Sequence, residues 1–156
     1  LTDNIQELCI IPSGKPKIWD KYPHLNHILA KEAYIGTFHR LCQAYAKQFY
    51  GNWVIISPKY GILLPNQFVE GSYDLSFSQI HKNKDIISIP YMRKQLKDNN
   101  LFNVPKVTML GGKKFKPILE MLFPNDVSLS FPLHGTRGIG DMQKRLKDAM
   151  EVNKKL

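Results

Sequence analysis

The sequence has little cysteine, a shortage of acidic residues and no long apolar run. With two cysteines in 156 residues, Cys9 and Cys42, a disulfide framework is excluded. Cys9 falls in a predicted strand and Cys42 on a predicted helix. Both are therefore expected to be buried free thiols, which suits a reducing cytoplasm. No segment approaches the roughly 20 apolar residues needed to cross a bilayer, and no signal-peptide pattern is present, so no membrane partner is expected. The named nucleotide fingerprints are missing too. Ser13-Gly-Lys-Pro-Lys17 lacks the spaced glycines of a P-loop, and the glycines from Gly135 to Gly140 have the wrong spacing for a dinucleotide site. His24 and His27 have no cysteine or carboxylate cluster to complete a metal site. No metal and no other cofactor is expected. Repeats, low-complexity tracts and linkers are lacking, which predicts a single domain over 1–156.

What is present is a basic, globular composition. Lys plus Arg number 22 against 13 Asp plus Glu, a formal charge of +9. That balance favours a polyanionic partner, nucleic acid first. Hydrophobic residues at 43% and aromatics at 11% are enough for a real core.

Strand and helix patterns alternate along the chain. Leu8–Ile11, Trp53–Ile56, Val104–Leu110 and Val127–Phe131 read as strands. Thr37–Phe49 carries Phe38, Leu41, Cys42, Tyr45, Ala46 and Phe49 at helical spacing, with Thr37 as the predicted cap. Ser88 is placed to cap a helix that has Pro90 in its first turn and runs to about Asn99. Further helices are predicted around Phe115–Leu122 and from Ile139 to Met150, and irregular chain is expected up to Ala33 and from Ser57 to about Lys84. This alternation predicts an α/β fold, a three-layer α/β/α sandwich on a roughly four-stranded, mainly parallel sheet.

Sheets of that kind bind ligands beyond the carboxyl ends of their strands. A chemistry-bearing loop follows each predicted strand: Ser13-Gly-Lys-Pro-Lys17, Ser57-Pro-Lys-Tyr-Gly61, Gly111-Gly-Lys-Lys114 and His134-Gly-Thr-Arg-Gly138. The four loops are expected to meet in one crevice. Its cations would be Lys15, Lys17, Lys59, Lys113 and Arg137. Gly14, Gly61, Gly111 and Gly112 would permit close backbone approach, and helix N-termini would favour an anion. Tyr34, Tyr60 and Tyr73, with Trp19 and Tyr22, are candidates for stacking on bases. Asp74 is the preferred carboxylate for general-base work, with Asp20 and Glu32 as alternatives. Ser13 and Ser57 stand in no Ser-His-Asp pattern and read as hydrogen-bonding residues, while His134 is the histidine singled out for the site. His39, beside Phe38, reads as structural or exposed.

Several of these segments together resemble a known family. They are Pro12-Ser-Gly-Lys15, Tyr34-Ile-Gly-Thr-Phe38, Ile56-Ser-Pro-Lys-Tyr-Gly61 with Pro65 and Tyr73-Asp74, Leu110-Gly-Gly112, and Pro132-Leu-His-Gly-Thr-Arg-Gly-Ile-Gly140. The chain is similar to an uncharacterised bacterial and phage domain family. That family is marked by a Cys-Ser/Gly-x-Lys strand end and a Leu-Ser-Ala-Lys-His/Tyr-Gly-Leu loop. More distantly it resembles the YaaA peroxide-stress proteins and the archaeosine-synthase core, whose fold is related to uracil-DNA glycosylases. The resemblance implies a domain that acts on, or binds, DNA or a modified nucleobase, DNA more than RNA. It implies three alternatives: glycosylase-like base excision, DNA binding without chemistry in phage defence or stress, and binding of a small nucleotide. Ser13 stands where the family carries cysteine, and Tyr60 where it often carries histidine. Both departures remove reactive groups.

Overall fold

β1 (Glu7–Pro12) is buried along almost its whole length, and its alternate side chains enter two different cores. In the computed structural model, which describes residues 5–156, Leu8 and Ile10 point to one side and Cys9 and Ile11 to the other. The first four residues of the expected 1–156 domain lie outside the described residues. After β1 come a 3-10 turn (Ile18–Asp20), β2 (Ile28–Leu29), α1 (Ala30–Ala33), α2 (Thr37–Phe49) and β3 (Trp53–Ser57). Then follow β4 (Gly61–Leu63), β5 (Phe68–Val69), a second 3-10 turn (Phe77–Gln79) and α3 (Ile89–Asp98). The chain continues through β6 (Lys106–Met109), α4 (Phe115–Leu122), β7 (Ser128–Ser130) and α5 (Ile139–Glu151).

The main sheet has five strands in the order β4-β3-β1-β6-β7, with β4 alone antiparallel to its neighbour. Helices cover both faces. Met92 and Leu96 of α3 and Phe115, Ile118 and Leu119 of α4 pack over Leu8 and Ile10. Cys42, Tyr45 and Ala46 of α2, with Leu146 of α5 and the alanines of α1, pack over Cys9 and Ile11. The chain leaves β1 through α2 to reach β3 on one side, then returns through α3 to β6 on the other. The direction of travel therefore reverses between β1 and β6, the position where open parallel sheets form ligand crevices.

The sheet corrects the four-stranded expectation. β4, together with the small antiparallel sheet of β2 and β5, lies in segments expected to be irregular. The cause is length: two- and three-residue strands are too short to show an alternation. Helix ends differ slightly as well. Gly36, not Thr37, occupies the cap position of α2. Ser88 caps α3 as expected, accepting from the Tyr91 N–H at 3.2 Å, with Pro90 in the first turn.

β4 is a sheet edge, and α3 closes it. The Gln95 carboxamide accepts from the Ile62 N–H at 2.8 Å and donates to the Tyr60 carbonyl at 2.9 Å. A parallel strand would engage the groups on either side of Gly61 in this same pattern. Gly61 sits at φ +76°, and a Cβ there would overlap Gln95 Oε1 and Ile87 Cδ1. The glycine thus admits both the turn and the close side-chain amide.

Removing the amide should leave a donor and an acceptor on β4 without partners. Gln95→Ala is expected to lower unfolding free energy by about 1–3 kcal/mol in urea titrations. Gln95→Glu should fall between Gln95→Ala and the parent, because a carboxylate keeps the Ile62 bond and loses the Tyr60 bond.

Candidate site at the carboxyl edge of the sheet

Because β3, β1, β6 and β7 run parallel, the loops that follow them leave from one edge. The loops after β1 and β3 are tied together by a cluster of hydroxyls. Ser13 continues β1, its N–H donating to the Ile56 carbonyl at 3.1 Å. Ser57 ends β3, and its Oγ accepts from the N–H groups of Lys59 and Tyr60 at 3.2 and 3.1 Å. With both lone pairs engaged, the Ser57 hydroxyl donates to Tyr73 Oη at 2.7 Å. Tyr73 Oη also meets Tyr34 Oη at 2.8 Å and donates to Ser13 Oγ at 3.5 Å. Tyr73 comes from the long segment after β5, which crosses this edge as a strap. Tyr60 packs edge-on against the Tyr73 ring, and its hydroxyl donates to the Gly71 carbonyl at 3.1 Å. Burial raises the pKa of Tyr73, partly offset by its three hydroxyl partners, and burial likewise raises those of Tyr34 and Tyr60.

Lys17 lies beneath this strap, only 3% exposed. Its Nζ donates to the Lys15 carbonyl at 2.8 Å and sits 4.3 Å from the centre of the Tyr73 ring. Among the described residues, no carboxylate lies within ion-pair distance. Desolvation holds its pKa below the usual lysine range, against the opposing pull of Asp20 and Asp74. The Asp20 carboxylate is engaged by the Lys17 backbone N–H at 2.8 Å.

His39 supports the same loop from below, where the sequence suggested a structural or exposed residue. It is 2% exposed. Nδ1 lies 2.7 Å from the Pro12 carbonyl, which can only accept, so Nδ1 carries the proton. Nε2 then accepts from Gln43 Nε2 at 2.8 Å, and the second amide proton of Gln43 goes to the Lys31 carbonyl at 2.9 Å. Burial lowers the pKa of His39 to about 4. The sequence did hold a signal for this relay. His39, Cys42, Gln43 and Ala46 follow the i, i+3, i+4, i+7 rule of one buried helix face.

The loops after β6 and β7 meet in a second place. A cavity of about 160 Å³ lies between them, bounded by Gly112, Lys113, His134, Gly135, Thr136 and Gly138. The His134 ring stacks on Phe131 at 4.8 Å, and its buried Nε2 has no hydrogen-bond partner among the described residues. Arg145 steadies this loop by donating to the carbonyls of Pro132 and His134 at 3.0 and 3.4 Å. Gly111 is a packing residue, since a Cβ on it would strike Phe115 and Met109. The strap joins the two places: Phe77 packs edge-on against Phe115, and Lys114 Nζ lies 3.5 Å from Ser76 Oγ.

The candidate residues therefore fall into three groups. Ser13, Lys17, Tyr34, Ser57, Tyr60 and Tyr73 are gathered under the strap. Gly112, Lys113 and His134 line the cavity. Gly14, Lys15, Lys59, Asp74 and Arg137 are exposed along the same edge, Asp74 with no hydrogen bond from any described residue. Gln43 is the supporting residue that the sequence reading left out, and His39, read as structural or exposed, is its partner. Among the described residues, no three of His, Cys, Asp and Glu come together as a metal site. No described helix is long and apolar enough to cross a membrane.

Residues 21–148 match a protein family described as "Family of unknown function (DUF6884)". The chain is also 38% identical over 152 residues to "Uncharacterized protein YfjM" of Bacillus subtilis (strain 168), covering 97% of this chain and 100% of that protein.

The buried relay predicts an acid-sensitive fold. His39 is neutral when folded and has its pKa depressed from 6.5 to about 4. Above pH 6.5 neither state takes up a proton at this site. As pH falls below 6.5 the unfolded chain binds the proton first, and stability declines until about pH 4. The loss should total about 3 kcal/mol in urea titrations at stepped pH. His39→Gln should show a shallower decline over the same window.

Proposed function

The chain belongs to the DUF6884 family, and from its carboxyl-edge geometry we propose that it binds nucleic acid or a nucleotide there, with phosphate on the exposed cations and a base against the strap tyrosines. One observation carries this reading: four parallel strands deliver Lys15, Lys59, Lys113 and Arg137 to a single edge, all of them exposed and none of them ion-paired among the described residues. The net charge of +9 adds long-range attraction to a polyanion. The cavity between the loops after β6 and β7 is of a size for a phosphate group, and α5 begins beside it. DNA is the preferred polymer, on the resemblance to the glycosylase-related fold.

A glycosylase-like reaction on modified bases is the catalytic version of this reading. It is favoured by Asp74, which directly follows Tyr73 and acts electrostatically on Lys17. In that version the base is drawn out of the helix and held beside the partly exposed Tyr60 and Tyr73, and Asp74 activates water. Ser13 and Ser57 serve as hydrogen-bonding residues.

Binding of labelled single-stranded and duplex DNA should weaken steeply with salt. The double variant Lys15→Glu/Lys113→Glu should bind about tenfold more weakly or worse and lose about two from the salt slope. Salt-insensitive binding, or none at low salt, would overturn the polymer reading, and retention of a mononucleotide would then identify a small-nucleotide site. Abasic-site formation on base-modified duplex, lost in Asp74→Asn, would establish the catalytic version. Tight binding without product, unchanged in Asp74→Asn, would leave a binding module.

A further inference from the structure

Lys17 is an anomaly among the cations of this edge. Its neighbours Lys15, Lys59 and Lys113 are solvated, whereas Lys17 is 3% exposed and has no carboxylate partner among the described residues. An ammonium carries three N–H donors, and Lys17 satisfies one on the Lys15 carbonyl and directs its charge to the Tyr73 ring. A buried ammonium so thinly partnered is costly, and the cost falls when the amine is neutral. A lysine desolvated in this way is the usual form of an imine-forming nucleophile. The surroundings suit that chemistry. Tyr73 carries the face on which the amine rests, and its hydroxyl stands in a chain with Ser57, Tyr34 and Ser13. Hydroxyls in such a chain can hand a proton to a carbonyl oxygen and take it back.

We propose that Lys17 is an amine nucleophile that forms an imine with an aldehyde carbon, the ring-opened C1′ of an abasic nucleotide. The assignment of this substrate rests on the nucleic-acid reading above; the assignment of the amine does not. The Nζ lone pair adds to C1′, a C–N bond forms, and the carbonyl oxygen takes a proton to become a hydroxyl. The amine proton is lost and water departs with that hydroxyl, leaving the imine. No oxidant or reductant is consumed. The charged groups that act on the amine are Asp20, Asp74 and Lys15. All three are exposed. Burial works in the direction the reaction needs, since it depresses the Lys17 pKa and enlarges the neutral fraction.

The test is reductive trapping. The full chain is incubated with a duplex containing one abasic site in sodium cyanoborohydride, and in parallel with glyceraldehyde 3-phosphate. Modified peptides are then mapped by mass spectrometry. The expected result is a protein–DNA adduct on Lys17, formed in preference to adducts on the exposed Lys15 and Lys113. Lys17→Arg should keep duplex binding and lose the adduct. Duplex binding without an adduct, or an adduct spread evenly over exposed lysines, overturns the proposal and leaves the nucleic-acid reading standing. If no duplex binds at all, the nucleic-acid reading fails and the small aldehyde decides on the amine. Selective labelling of Lys17 upholds it, and indiscriminate labelling overturns it.

Discussion

The structure depends on the burial of β1 between two parallel neighbours. Leu8, Cys9, Ile10 and Ile11 are all fully buried, so β1 cannot slip or reverse without exposing one core or the other. Once β1 is fixed, β3 and β6 are fixed with it. The loops after all three must then leave from one edge. The crevice is a consequence of this register, because no loop residue is needed to bring the loops near each other. The loop residues decide only what occupies the space.

What occupies it is largely the chain itself. Tyr73 takes the position where strand ends often leave room for a ligand, and it satisfies two serines and a second tyrosine there. Polar groups at a buried edge must find partners, and here they find one another. The hydroxyl network itself is neutral, and of the cations only Lys17 is buried against it.

Much of this arrangement was legible in the sequence. The parallel strands β1, β3 and β6 and the principal helices each carry enough residues to show a period, and Ser88 with Pro90 marks a helix start by direct chemistry. The loops that follow the strands could be placed on one edge from alternation alone. β4 could not be seen, because Gly61–Leu63 offers three residues and no polar counterpart. The role of His39 was only half legible, for a different reason: of the two readings, structural or exposed, the structure shows the first. The apolar face of α2 was traced through its carbon side chains, and a histidine on that face looks like an interruption until its partners are known. Those partners are a carbonyl at the end of β1 and a glutamine one turn away, and only the folded chain brings the first of them near. The depth of Lys17 was hidden as well. Among five cations expected to face a ligand, nothing local distinguishes the one that the strap covers.

Gln95 carries a consequence for how the molecule meets copies of itself. By presenting one amide where a neighbouring strand would present its backbone, it occupies the hydrogen-bonding groups flanking Gly61 on β4. A second chain cannot add to that side without first displacing a helix. The opposite rim ends in β7, three residues long with two exposed serines, which is a poor template for growth. The sheet is thereby finite in both directions, sealed by a side chain on one flank and by brevity on the other.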